Sequence, residues 1–198
     1  SPADIGPVAA QRPELRFCVY HSGFESAVTE GPYDPAAPNA GADRLVASLA
    51  GAGIEPGANV YAELGSTWRS VMGSPDEAAH LLGKLLLAVG EDNVLWGTDS
   101  IWYGSPQDQI QAFRTFQISR EFQEKFGYTA ITTELRAKVF GLNALKPYGL
   151  EVTGIRKSFL ADNLQKEKAR NAERPDPTFM TYGPQTRREF FALLKAGG

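Results

Sequence analysis

The chain of 198 residues reads as an α/β fold built on a short parallel sheet, and three observations predict it. Apolar β-rich runs alternate with helical ones in the order strand, helix, strand, helix, strand, helix, the signature of βα units. Each β-rich run is bounded by turn formers. Helical runs close on Gly53, Gly90 and Gly127, where the left-handed cap conformation suits glycine. A composition of 42% hydrophobic and 22% charged residues allows one sizeable core.

The first strand is expected over residues 15–20, between Pro13 and Ser22-Gly23, and residues 42–52 form the helix that follows. The second strand covers residues 59–64 and closes on Gly65-Ser66. Its helix spans residues 75–89: Pro75 suits the first turn, Ser74 the N-cap, and Asp76 and Glu77 the positive end of the dipole. The third strand covers residues 93–98. Ile110, Phe113, Phe116, Ile118, Phe122 and Phe126 predict one amphipathic helix over residues 107–126. Another begins at Thr133, carries Leu135, Val139, Phe140 and Leu142, and stops by Pro147. Residues 1–152 form the α/β unit. Residues 153–198 form a helical extension: a Lys-, Glu- and Arg-rich stretch over 157–174, a break at Arg174-Pro175-Asp176-Pro177, and a last helix over about 184–194.

A formal charge of -3 gives no basic face for nucleic acid. The longest apolar stretch, residues 85–89, is far short of the roughly 20 residues that span a bilayer. No signal-peptide pattern opens the chain, and a cytoplasmic location is expected. One cysteine closes no intramolecular disulfide, and with two histidines it completes no four-ligand zinc site, so a metal would lean on carboxylates or on another polypeptide. Gly-rich phosphate loops and a Gly-x-Ser-x-Gly elbow are missing, which removes the support for nucleotide or serine-hydrolase chemistry.

The chemistry-bearing residues fall at strand ends. His21 follows the first strand, Glu63 ends the second and Asp99 follows the third. In parallel α/β folds the carboxyl ends of strands hold the active site, so the three form one constellation. Period-two alternation puts Phe17, Val19 and His21 on one side, and Cys18, with Tyr20 on the other, under a helix. Glu63 has Arg69 and Lys84 as candidate partners, and His80 reads as a surface or packing histidine. Three parallel strands leave two edges open, so the sheet reads as incomplete.

The runs Phe17-Cys18-Val19-Tyr20-His21-Ser22-Gly23, Asn59-Val60-Tyr61-Ala62-Glu63, Asn93-Val94-Leu95-Trp96-Gly97-Thr98-Asp99 and, near the end, Gly141-Leu142-Asn143-Ala144-Leu145-Lys146-Pro147-Tyr148-Gly149-Leu150 together resemble the last third of the amidohydrolase superfamily. The resemblance is to its amidohydrolase-related branch of metal-dependent hydrolases and decarboxylases and covers residues 1–152. It implies a (β/α)8 TIM-type barrel of which this chain supplies strands six to eight. It also implies Asp99 as metal ligand and base, and His21 as catalytic acid/base and second metal-binding residue. Glu63, Arg69 and Trp102 would line the pocket for a small carbonyl or carboxylate substrate, and the cofactor would be a divalent metal, zinc by preference. The family's His-x-His pair after strand one and its histidine after strand five have no counterpart here, so His21 and Asp99 offer two of the three ligands a catalytic zinc generally keeps. The chain is therefore expected to be the C-terminal piece of a longer enzyme, inactive without the rest, as the lack of a start signal before Ser1-Pro2 also suggests. The alternative is a degenerate relative serving as an association module. A homo-oligomer or a separate N-terminal half is the expected partner, because the barrel's inward face, read as Phe17, Val19, Tyr61 and Leu95, would otherwise meet water.

Overall fold

The computed structural model describes residues 1–38, 40–174 and 186–196. Three parallel strands, β1 (Phe17–Val19), β2 (Val60–Glu63) and β3 (Val94–Leu95), pair in the order β1-β2-β3. The register sets Phe17 against Val60, Cys18 against Tyr61, Val19 and Val94 against Ala62, and Leu95 against Glu63. Every strand is shorter than its apolar run. β1 ends at Val19 because Tyr20 opens a turn in which His21 and Ser22 take φ of 56° and 53°.

The helices are α1 (Ile5–Gln11), α2 (Asp43–Gly51), α3 (Gly65–Val71), α4 (Pro75–Val89), α5 (Ser100–Tyr103), α6 (Gln107–Thr115), α7 (Arg120–Phe126), α8 (Thr133–Phe140), α9 (Leu145–Tyr148), α10 (Val152–Ala161), α11 (Asn163–Glu173) and α12 (Arg187–Ala196). The single helix expected over residues 107–126 is two. Phe116 turns extended at ψ 142°, and the Ser119 hydroxyl accepts from the Phe122 amide, starting α7 afresh. α4 matches its sequence signals, with Pro75 in its first turn and Gly90 at φ 88° as its stop, although Ser74 makes no side-chain cap. The extension carries three described helices rather than two. The break at Pro175-Asp176-Pro177 and the expected start near Pro184 lie outside the described residues.

Phe17, Val19, Val60, Ala62 and Val94 share one face of the sheet and pack into a core with Leu45 and Leu49 of α2, Trp68 of α3, Leu81, Leu82 and Leu85 of α4 and Phe113 of α6. The inward face is therefore not the one expected. Phe17 and Val19 point into the helix layer, and the other face carries Cys18, Tyr61, Glu63 and Leu95. Cys18 does not pack under a helix; it is exposed. Tyr61 and Leu95 are buried all the same. Near them, Arg16 donates to the Pro147 carbonyl, which ties α9 across the amino-terminal ends of the strands.

Three asparagines lock those ends in succession. Asn59 donates its amide to the carbonyls of Ala9, Arg12 and Leu15, which anchors the approach to β1. Asn93 does the same for Ala58 and Val60 at β2, and Asn143 for Glu91 and Val94 at β3. Each unit thus satisfies the backbone of the one before it, at a point where buried carbonyls need partners.

Candidate active site

The carboxyl ends of the three strands meet in one cluster. Glu63 closes β2, and its carboxylate is spent on backbone: Oε2 accepts from the His21 amide at 3.1 Å and Oε1 from the Gly65 amide at 2.7 Å. The partners suggested for Glu63 lie elsewhere. Arg69 bonds Asp108 at 3.4 Å, and Lys84 is buried between Glu30 and Asp43. Two glycines make the arrangement sterically feasible. A Cβ at Gly97 would overlap Glu63 Oε1, and one at Gly65 would come within 2.6 Å of His21 Nδ1.

His21 stands with Nε2 3.4 Å from Asp99 Oδ2 and Nδ1 4.0 Å from Glu63 Oε2. The Ser66 amide reaches both His21 Nδ1, at 3.2 Å, and Asp99 Oδ2, at 3.1 Å. An Nδ1 that accepts a hydrogen bond leaves the proton of the neutral ring on Nε2, facing Asp99. The Ser66 hydroxyl donates to Asp99 Oδ2 at 2.7 Å and meets the Tyr103 hydroxyl at 2.9 Å, while Tyr20 donates to Asp99 Oδ1 at 3.1 Å. Burial alone would raise the Asp99 carboxyl. The hydrogen bonds from Ser66 and Tyr20, with the His21 ring, outweigh it and hold Asp99 below the ordinary carboxylate range. The same bond to Asp99 pushes the Tyr20 phenol up.

The backbone at this cluster is unusual. His21, Ser22 and Asp99 are the non-glycine residues with positive φ among those described, a conformation that persists only where the surroundings over-determine it. Here the Ser22 hydroxyl bonds the Glu63 carbonyl and Thr67 bonds the His21 carbonyl, so the turn is held on both sides.

The sequence-derived set divides accordingly. His21, Glu63 and Asp99 converge. Arg69 lies one shell away, with its guanidinium 4.6 Å from the Tyr103 ring centre. Trp102 is not brought in: it is 77% exposed on α5. Ser66 and Tyr20, which touch Asp99 directly, were not singled out by sequence reasoning; a serine straight after a strand-closing glycine, Gly65-Ser66, was the available signal.

A family model described as amidohydrolase matches residues 1–150. The chain belongs to the amidohydrolase family. No curated protein and no solved structure matches it. In agreement with that family, the chain is an α/β protein with a small parallel sheet and many helices. Amidohydrolases commonly use divalent metals, so the donor set is the relevant test. Among the described residues no three histidine, cysteine, aspartate or glutamate side chains are placed to hold a metal ion. The hydrogen bonds explain why. Both Glu63 oxygens accept from backbone amides, Asp99 accepts from Ser66 and Tyr20, and the two ring nitrogens of His21 face the Ser66 amide and Asp99. The described residues do not by themselves fit a metal. Among the described residues no helix is long and apolar enough to cross a membrane.

Proposed function

We propose that this chain is the strand-six-to-eight part of an amidohydrolase-family hydrolase or decarboxylase acting on a small carbonyl or carboxylate substrate, and that it supplies the proton-moving residues. The observation that carries the reading is the His21–Asp99 pair, 3.4 Å apart at the carboxyl ends of parallel strands and oriented by Ser66. Hydrolysis takes a proton from attacking water and returns one to the leaving group; decarboxylation delivers a proton to carbon. Both require a base and an acid within hydrogen-bond reach of the reacting atoms. Asp99, held as the carboxylate, is the acceptor, and His21 is the donor once it has taken up a second proton as the imidazolium. A divalent ion, zinc by the resemblance, would need donors from outside this chain, so proton transfer is the chemistry assigned to these residues.

What completes the site on this reading is the remaining barrel strands, whether in the same polypeptide or in another. The test is turnover on a panel of small carboxylic acids, esters and amides. The chain alone is expected to be silent, and co-expression with the polypeptide that supplies the remaining strands restores activity that Asp99→Asn abolishes. Turnover by the isolated chain that survives Asp99→Asn rules the proposal out. A second reading, a non-catalytic association module, is favoured by one observation, the unpaired outer edge of β1. Association with no turnover in any combination would select it.

A further inference from the structure

The family match ends at residue 150, yet the core does not. Phe190 of α12 is 3% exposed and belongs to the same hydrophobic cluster as Trp68, Ala112 and Phe113. One turn on, Leu194 is partly buried against it. These two, at i and i+4 on one face of the helix, pack against the core beside α3 and α6 and wall one side of a cavity lined on the other by Trp68, Met72, Ala112 and Phe116.

The same helix pair reaches the site. The Trp68 indole N–H donates to the Gln109 carbonyl at 2.9 Å, and its ring lies edge-on to Phe113 and Phe116. Fully buried Gln109 donates through Nε2 to the Thr98 carbonyl at 2.9 Å, directly before Asp99. Gln109 Oε1 has no partner among the described residues, so Thr98 and packing fix this amide. Asp99 itself sits at φ 49°, a conformation its surroundings must impose.

We propose that α12 is an intramolecular strap: by packing Phe190 beside α3 and α6 it clamps α6 to α3 and, through Gln109, holds the Thr98–Asp99 turn in place. The helix-rich extension beyond the family match is then part of the working unit. The consequence for chemistry rests on Asp99 acting as proposed above; the strap itself does not.

Backbone amide exchange on the full chain tests it, comparing the unsubstituted protein with Phe190→Asp and with Ala192→Asp, a change at an exposed position of the same helix. Phe190→Asp is expected to accelerate exchange in α6 and in residues 98–103 by roughly ten- to a hundredfold, the loss that exposing one buried phenylalanine implies. Exchange in α2 stays unchanged, and Ala192→Asp changes nothing outside α12. A rise confined to α12 overturns the proposal, and so does a uniform rise across the chain. Should Phe190→Asp fail to fold, Phe190→Leu is read by the same criteria. Protection of α6 that depends on protein concentration means that a second copy provides the helix, which overturns the intramolecular strap. Exchange reports no activity, so a silent assay leaves the strap standing and a failed strap leaves the proposed chemistry standing.

Discussion

His21 and Asp99 follow different strands, yet a single backbone amide, that of Ser66, bonds both the Nδ1 of one and the Oδ2 of the other. That shared donor fixes how the pair can work. It directs the imidazole proton toward Asp99 and helps keep the Asp99 carboxylate ionised, so a carboxylate base stands beside a ring that can take up and return a proton. Two carboxylates this close to one imidazole would compete for its proton. Glu63 is withdrawn from that competition by the amides of His21 and Gly65.

Removing the Ser66 hydroxyl isolates one part of this arrangement. In Ser66→Ala the 2.7 Å bond to Asp99 Oδ2 is lost while the backbone amide stays. The Asp99 carboxyl is expected to rise toward its ordinary value of 3.8. A depressed carboxyl stabilises the folded state above its unfolded pKa and loses that stabilisation as the pH falls, so acid unfolding of the variant becomes less steep. Carbon-detected NMR titration of Asp99 reads the shift. An unmoved midpoint would show that Ser66 does not hold the charge.

Glu63 is predicted to be a structural carboxylate. In Glu63→Gln one of the two acceptors facing an amide becomes a donor, leaving a buried N–H against another N–H. A loss of about 1 to 3 kcal/mol follows from stranding that group. Gly97→Ala should do similar damage from the other side, because its methyl overlaps Glu63 Oε1. Urea unfolding measures both. Two variants as stable as the parent would mean that the carboxylate is free for other work.

For metal, the donor count sets the expectation. With Glu63 committed to backbone and Asp99 to Ser66 and Tyr20, the isolated chain should bind zinc more weakly than micromolar, since a catalytic site generally takes three protein ligands. Calorimetry decides. Micromolar or tighter binding that Asp99→Asn abolishes would mean that a third ligand is recruited on binding.

His80 carries a separate pH dependence far from the site. It stacks on Phe122, meets the rings of Phe126 and Tyr128, and shares a 3.0 Å hydrogen bond with the Tyr128 hydroxyl. Burial, helped by the Lys84 charge, lowers its pKa from 6.5. Below pH 6.5 the unfolded chain takes up a proton that the folded chain refuses, so stability should fall as the pH drops through this range. Tyr128, pushed up to about 12 by burial and then by Asp43 and Glu30, acts at the other end, with stability lost as the pH rises beyond 10. Urea midpoints on either side of pH 6.5 check the first effect, and His80→Phe should flatten it.

What could be read from the sequence was whatever depends on short-range pattern. The order of strands and helices, the signals of α4 and the placing of His21, Glu63 and Asp99 at strand ends all follow from local periodicity and turn chemistry. The sidedness of β1 did not, because alternation was carried through Tyr20 and His21, where the backbone has already turned left-handed at φ 56°. Cys18 was assigned to a helix for the same reason: a strand's period shows which residues share a face, not which face is covered. Ser66 entered the site through a tertiary approach of α3 to the turns after β1 and β3. The break inside residues 107–126 is tertiary too, since Arg136 of α8 takes the carbonyls of Phe113 and Phe116 at the end of α6.

The last prediction concerns the outer edge of β1. Among the described residues the sheet order leaves β1 with β2 on one side and no strand on the other, whereas the Trp96 amide just after β3 is met by the Val139 carbonyl at 3.1 Å. Leu15, Cys18 and Tyr20 are exposed along β1 and its flanks, and no proline interrupts the run. An unblocked edge of this kind is a template for another strand. The driving force is smaller than an exposed barrel interior would give, because Tyr61 and Leu95 are buried. What remains is unpaired backbone and a few apolar side chains, each worth about 1.5 to 3 kcal/mol when fully covered, against a total stability of about 5 to 15 kcal/mol. The expected outcome is association through this edge, with a second copy or with further strands. Sedimentation at low micromolar concentration should therefore show species heavier than 21.5 kDa. Cys18 should react with a thiol reagent in the dilute chain and become protected as the heavier species forms. A single 21.5 kDa species that unfolds cooperatively, with Cys18 equally reactive at every concentration, would refute association through this edge.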